Sequence, residues 1–195
     1  MDELERLESA MRSQRLSMYP RTPESEDLAL PGLVSIFLHE RQRALSGLPT
    51  QERYLKAVVD AAPGLPELAV RARASRTYPA LVRQSHFQTA LRTRTKLEGV
   101  HWIVGLDMAG VDLLALDHGY VLGVALSVLT EMATTWQSIK RRRHPPLTGM
   151  PMLQLDVDPN RAPRIGPFWV HPLSDVWTVQ DAMDALQHQA ETAIV

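Results

Sequence analysis

The chain has 195 residues, a formal net charge of -1 and no cysteine. This length accommodates one domain with a sizeable core, or a core with a helical extension. The lack of cysteine excludes a disulfide framework and a thiolate metal site. No apolar run approaches the roughly 20 residues of a membrane span, and the N-terminus is charged rather than signal-like. We therefore expect a soluble cytoplasmic protein with no membrane partner.

Residues 1–75 are predicted to form a helical N-terminal region. Leu4, Leu7 and Met11 recur at helical spacing and predict a first helix that ends near residue 15. Residues 19–31 are rich in proline, serine and acidic side chains, which is typical of a linker. The first helix would then dock either on its own domain or on a second copy, as in a homodimer. Three further helices are predicted, over residues 31–47, 49–62 and 65–73.

Residues 76–195 are predicted to form an α/β (α+β) core. Its first element is a helix that runs from Thr77, near the N-cap, to about Arg94, with Pro79 in the first turn. Short apolar runs follow and predict three strands, over residues 102–104, 111–116 and 120–129. The sequence Asp-His-Gly at 117–119 predicts a hairpin between the last two.

The third apolar run is the key to the predicted sheet. It is apolar on both faces, as expected of a central strand that helices cover on each side. Its alanine, leucine and methionine content leaves a helix over residues 122–132 as the alternative.

A basic helix is predicted after this run. Met132, Trp136 and Ile139 fall at helical spacing, and four consecutive cations at 140–143 occupy the last turn, where they complement the helix dipole. Beyond it we predict a fourth strand over residues 150–158, a last short strand over residues 168–170 at the far side of the sheet, and a final helix capped by Thr178.

The order of helix, β-meander and helix over residues 78–168 resembles the core of the PD-(D/E)XK nuclease superfamily. The resemblance implies a restriction-endonuclease-like fold, with a central mixed sheet of about four to five strands flanked by helices. In that family an aspartate on the second strand and an acid-x-Lys triplet on the third bind one or two divalent metals and position the attacking water. Such metals take oxygen ligands, lower the pKa of their water and stabilise developing phosphorane charge.

The catalytic pattern of the family is only partly present. Asp112 matches the strand-two aspartate and would be a metal ligand, although an aspartate at this place is also a common turn or solvent-facing residue. Ala125-Leu126-Ser127 stands where acid-x-Lys is expected, so the active site is incomplete. Glu131 and Lys140 are candidates for a relocated acid and lysine. An active site would use Mg²⁺, and otherwise no cofactor is expected.

A second pair of acids could bind a cation. Asp156 and Asp158 are two residues apart and would face the same side of the fourth strand. A strand end that runs into a Pro-Asn turn explains them better.

Charge distribution favours a nucleic-acid partner, DNA more than RNA. Residues 71–96 contain seven basic side chains and no acidic one, and residues 132–155 contain four more, again without an acid. Two acid-free basic segments are typical of a phosphate-binding face, although an acidic protein surface would fit the same pattern. The candidate nucleic-acid-binding residues are Arg71, Arg73, Arg76, Arg83, Arg92, Arg94, Lys96, Lys140, Arg141, Arg142 and Arg143.

Three functions follow from these patterns. The first is a nucleic-acid-binding protein on a nuclease-like fold with a degenerate active site. The second is an active Mg²⁺-dependent endonuclease in which Glu131 or Lys140 completes the site with Asp112. The third is a homo-oligomeric interaction or assembly subunit that does not bind nucleic acid.

Overall fold

The structure is a computed structural model that describes residues 1–26, 28, 30, 32–107, 110–129 and 149–192. Within these ranges it is a mixed α/β protein with a helical N-terminal region, as predicted. The helices are α1 (Glu3–Ser13), α2 (Pro23–Glu26), α3 (Leu33–Gln42), α4 (Gln51–Asp60), α5 (Glu67–Arg94), α6 (Val104–Asp107) and α7 (Leu173–Thr192). The strands are β1 (Gly99–His101), β2 (Leu113–Asp117), β3 (Tyr120–Val128), β4 (Met152–Val157), β5 (Arg164–Ile165) and β6 (Phe168–Trp169).

The chain divides into two compact units. Unit 1 comprises Met1–His86 and Arg164–Phe168, and unit 2 comprises Phe87–Pro163 and Trp169–Val195. Unit 1 therefore contains α1 to α4, and unit 2 contains the main sheet and α7.

The first helix of unit 1 is specified by its own sequence. A capping box starts α1, because Asp2 accepts from the Glu5 backbone N–H at 2.8 Å and Glu5 accepts from the Asp2 N–H at 2.9 Å. Leu4, Leu7 and Met11 are all buried. The predicted helix is confirmed, and its apolar stripe is covered within the chain itself. A homodimer through the N-terminal helices stays a prediction, and it would need another surface.

Four aromatic rings form the core of unit 1. Tyr54 of α4 lies 5.9 Å from Phe37 of α3 and 5.6 Å from Tyr78 of α5, measured between ring centroids. Phe168 of β6 lies 6.3 Å from Tyr78. All four side chains are fully buried. Edge-on and tilted contacts of this kind add to the free energy gained from burial alone.

Helix α5 corrects the prediction of two helices over residues 65–73 and 77–94. It is continuous over 28 residues and carries Pro79 in its interior, where proline removes one helical hydrogen bond. Thr77 is not a cap, because its hydroxyl donates to the Arg73 carbonyl one turn earlier at 3.4 Å. Ala74, Tyr78 and Val82 are buried on both sides of the proline. Packing of this face therefore outweighs the local signal for a break.

The main sheet has the order β1-β2-β3-β4. β1 to β3 form an antiparallel meander, and β4 is parallel to β3. His118 and Gly119 form a two-residue hairpin turn with φ values of 45° and 82°, which are the left-handed values of the favoured I′ turn. The predicted hairpin and the central position of β3 are confirmed, and the helical alternative for residues 122–132 is wrong for the part up to Val128.

The ends of unit 2 differ from the prediction in two places. The first strand lies at Gly99–His101 rather than over residues 102–104, and α6 begins at Val104. Helix α7 begins at Leu173, so Thr178 is internal and its hydroxyl donates to the Ser174 carbonyl at 2.9 Å. A hydroxyl can bond to the preceding turn as readily as it can cap a helix. A motif that resembles a cap therefore did not fix the start of this helix.

The last predicted strand does not join the main sheet. β6 pairs with β5 in a separate two-stranded sheet, and the backbone N–H of Val170 donates to the Pro163 carbonyl at 2.9 Å. The pairing partner is thus the short neighbouring strand β5, which local apolar character cannot reveal.

Strand register assigns the side chains of the main sheet to two faces. The core face carries Leu113, Val124 and Leu155, all buried. Helix α7 packs on this face, where the Gln187 side-chain amide donates to Asp117 at 2.7 Å. The opposite side is called the polar face here, and it carries Ala125, Ser127, Gln154 and Asp156 of β3 and β4.

Candidate functional site

Asp112 lies immediately before β2, and its side chain reaches β3. Its backbone N–H donates to the Val124 carbonyl at 2.9 Å. Its carboxylate oxygen Oδ2 accepts from the Leu126 backbone N–H at 2.6 Å. The structure therefore brings Asp112 beside Ala125-Leu126-Ser127, the segment where the family resemblance predicts an acid-x-Lys triplet.

The triplet positions themselves carry a different chemistry. Ala125 pairs with Gln154 and Ser127 pairs with Asp156 across the β3–β4 ladder. The Ser127 hydroxyl donates to the Asp156 carboxylate oxygen Oδ1, and the Gln154 amide donates to the same oxygen at 2.8 Å. Alanine offers no ligand atom, and a serine hydroxyl is neither a strong ligand for a hard cation nor a base. The carboxylate that accepts from the Ser127 hydroxyl comes from β4.

Asp156 lies on the fourth strand, as predicted, but its partner on β3 was not predicted. Asp158 lies beyond the end of β4 and accepts from the Asn160 backbone N–H at 2.9 Å. Asp158 is thus a turn residue, as the interpretation of a strand end running into a Pro-Asn turn predicts. The pairing of Asp156 with Ser127 depends on parallel strand register, and a period-two pattern within one strand does not contain that register.

Five predicted site residues lie outside the described part of the chain. These are Glu131, Lys140, Arg141, Arg142 and Arg143. The relocated catalytic site and the second basic segment stay predictions.

The first predicted basic segment acquires acids from elsewhere in unit 1. The Arg71 guanidinium donates to Glu67 at 2.8 Å and to Glu52 at 2.9 Å, and these carboxylates raise its pKa above the usual range. Arg76 donates to the Ser25 carbonyl at 3.0 Å and lies 3.4 Å from a carboxylate oxygen of Glu26. An acid-free stretch of sequence is therefore not an acid-free surface.

Arg73 and Arg83 are only partly accessible. Both are half-buried on α5, and burial lowers the pKa of Arg83 to about 10. A guanidinium in that environment would lose the surrounding contacts if it turned toward a phosphate. Both are therefore less accessible to a phosphate than an exposed arginine.

The remaining three cations of the segment are exposed in unit 2. Arg92 and Arg94 lie in the last turn of α5, and Lys96 follows it. The backbone N–H of Lys96 donates to the Gln180 side-chain oxygen of α7 at 2.9 Å. We call Arg92, Arg94 and Lys96 the basic end of α5. Cations at a helix C-terminus also complement its dipole, so their position has a structural explanation as well.

A further polar group lies at the β2–β3 hairpin. Glu98, Asp117 and His118 each offer an oxygen or nitrogen within 4.8 Å of the others. His118 Nδ1 lies 3.4 Å from Glu98, and the His118 backbone N–H donates to the other Glu98 oxygen at 3.1 Å. Carboxylate and imidazole ligands suit several divalent cations, but these ion-pair and hydrogen-bond contacts account for the grouping without one.

No protein-family model, curated protein or solved structure matches this chain. Among the helices that the structure describes, none has the length and apolarity needed to cross a membrane.

Proposed function

We propose that the protein binds nucleic acid and that its nuclease-like sheet lacks a complete site for metal-dependent cleavage. One observation carries the proposal. Asp112 reaches the third strand of the meander, where Ala125 and Ser127 stand at the positions that would supply an acid and a lysine.

Incomplete catalysis follows from what each side chain can do. A divalent cation that activates water needs several hard oxygen ligands in one place. One oxygen of Asp112 already accepts the Leu126 N–H. The Ser127 hydroxyl is directed to Asp156, and Ala125 contributes nothing polar.

Binding is assigned to the basic end of α5. Arg92, Arg94 and Lys96 are exposed, whereas the side chains of Arg71 and Arg76 are only 16% and 20% exposed, so the exposed three are the most accessible to a phosphate. Phosphate contacts by such side chains release counterions, and the affinity is therefore expected to fall as salt rises.

A salt titration tests this function. Labelled single-stranded DNA, duplex DNA and RNA are titrated with the protein at two salt concentrations, with Mg²⁺ or Mn²⁺ and with chelator. We expect binding that weakens steeply with salt while every probe stays intact. Failure to bind any probe at low salt would overturn the proposal, and metal-dependent cleavage would overturn its second half.

Charge-matched variants locate the contact. The triple variant Arg92→Ala, Arg94→Ala, Lys96→Ala removes three positive charges, and it should lower the slope of log affinity against log salt by about 2 for single strands. The control triple variant Arg21→Ala, Arg43→Ala, Arg161→Ala removes three charges from side chains that are 62%, 62% and 90% exposed elsewhere. The control should bind like the wild type.

A nuclease is the second candidate, and one observation favours it. Asp156 places a carboxylate beside Ser127, on the strand next to the one that Asp112 reaches, so β4 could supply the acid that β3 lacks. In that case Mg²⁺-dependent cleavage would be lost in both Asp112→Asn and Asp156→Asn. Asp158→Asn is the matched control and should cleave normally, since Asp158 belongs to the following turn.

A further inference from the structure

Two contacts align the end of α5 with the start of α7 in unit 2. The Phe87 and His171 rings lie 5.1 Å apart, and the Lys96 N–H meets Gln180 at 2.9 Å. The second contact lies further along both segments. The two stretches therefore run side by side in the same direction, and the basic end of α5 lies beside the first turns of α7.

Trp177 is the exposed aromatic residue of this region. Its side chain is 50% exposed, whereas Val176 and Val179 of the same turn are buried. Trp177 precedes Gln180 by three residues, so the two side chains occupy the same side of α7 one turn apart. The oxygen of Gln180 binds the backbone N–H of Lys96, so Trp177 lies one turn of α7 before the residue that contacts the basic end of α5.

Acidic residues set a direction on this surface. Asp181 is exposed, and Asp184 accepts from the Gln180 amide at 2.7 Å. Gln180 thus contacts both Asp184 and Lys96, and the two carboxylates would repel a phosphate placed beyond Gln180. A phosphate backbone is therefore favoured toward Arg92 and Arg94, which lie on α5 ahead of Lys96.

We infer that Trp177 is a stacking platform for an unpaired base, and that the ligand class is single-stranded nucleic acid whose phosphates lie on the basic end of α5. The inference rests on the proposed nucleic-acid binding and deepens it. An exposed indole offers a π-face that any base can stack on, whereas the bases of a duplex already stack on one another. A cationic track beside an aromatic platform is the arrangement that single-strand binding uses.

The test measures binding of the full chain to a labelled oligothymidylate and to a duplex of equal length. We expect the single strand to bind more tightly than the duplex. Trp177→Ala should weaken single-strand binding by about 5- to 150-fold with the salt slope unchanged, and Trp177→Phe should keep most of the affinity. Leu173→Ala removes another exposed apolar side chain of α7, 57% exposed, and should have little effect.

Tryptophan fluorescence gives a second readout that does not depend on the alanine variant folding. Saturation with oligothymidylate should quench the wild-type emission, and this quenching should be largely lost in Trp177→Phe. Equal affinity of wild type and Trp177→Ala, or a preference for duplex, would overturn the stacking inference while nucleic-acid binding stands. If the wild type binds neither probe, the proposed function itself fails.

Discussion

The carboxylate oxygen Oδ2 of Asp112 accepts a hydrogen bond from the backbone N–H of Leu126 at 2.6 Å. A side chain thus takes the place of a backbone acceptor at the edge of the β2–β3 ladder. Asp112 therefore has a structural role that is separate from any role in binding a cation, and substitutions can distinguish the two.

Asp112→Ala should destabilise the protein by about 1–3 kcal/mol, because the Leu126 N–H loses its acceptor. Asp112→Asn retains a carbonyl oxygen and should cost less than about 1 kcal/mol. Urea unfolding of the two variants checks this difference. Identical midpoints for Asn and Ala would show that the hydrogen bond contributes nothing.

Tyr54 and Tyr78 form a matched pair in the core of unit 1. Tyr78 donates to the Pro49 carbonyl at 2.6 Å, whereas the buried Tyr54 hydroxyl has no hydrogen-bond partner among the described residues. Tyr78→Phe should therefore cost about 1 kcal/mol, and Tyr54→Phe should be neutral or stabilising. Thermal unfolding at neutral pH measures both, and a larger loss for Tyr54→Phe would contradict the assignment.

The same two tyrosines predict alkaline sensitivity. Burial raises the pKa of both hydroxyls above the usual range. Above the ordinary tyrosine pKa of about 10, the unfolded chain has lost protons that the folded chain keeps, so stability falls as pH rises. Each Phe substitution should make that fall shallower, by up to about 1.4 kcal/mol per pH unit. Parallel pH profiles for wild type and variants would disprove this cause.

Gly166→Ala should be strongly destabilising. Gly166 has φ of 57°, and a Cβ there would lie 2.6 Å from the Met11 carbonyl oxygen of α1. Gly64 also has a left-handed φ, 87°, but open space around it. Gly64→Ala should cost about 1–2 kcal/mol from backbone strain alone, and Gly166→Ala clearly more. Denaturation midpoints of the pair separate strain from steric overlap, and equal losses would rule out the close approach.

His118→Asn should stabilise the hairpin by about 0.5 kcal/mol. His118 adopts a left-handed φ of 45° ahead of Gly119, and Asn-Gly is the preferred sequence of this turn. The lost contact with Glu98 joins side chains that are 72% and 57% exposed, and such pairs contribute little. His118→Val is the opposite control and should destabilise, because a branched side chain disfavours this conformation. A lower melting temperature for His118→Asn would mean that the Glu98 contact dominates.

Local signals predicted the elements whose cause is local. The Asp-His-Gly turn predicted the hairpin, and the long apolar run predicted β3. The helical spacing of Leu4, Leu7 and Met11 predicted α1. Each depends on residues that are close together in sequence, so its physical basis is present in the sequence pattern.

The failures have causes that are distant in sequence. Pro79 indicates a break, but burial of Tyr78 beside it depends on Phe37 and Tyr54. The sequence predicted that Arg71 binds a phosphate, but its guanidinium donates to Glu52, which lies on another helix. Asp156 acquired its partner through the register of two parallel strands. Sequence patterns identify the side chains but not these neighbours.

The segment Arg164–Phe168 belongs to unit 1 although most of unit 2 precedes it in the chain, and its Gly166 lies against α1. On a ribosome, α1 to α4 are synthesised early, yet the segment that completes their unit emerges only after the main sheet has been made. At about 5–20 residues per second, the N-terminal helices would wait on the order of ten seconds for it. Unit 1 therefore cannot finish folding in the order of its synthesis. A chain that stops before Arg164 would lack the segment of unit 1 whose Gly166 packs against α1.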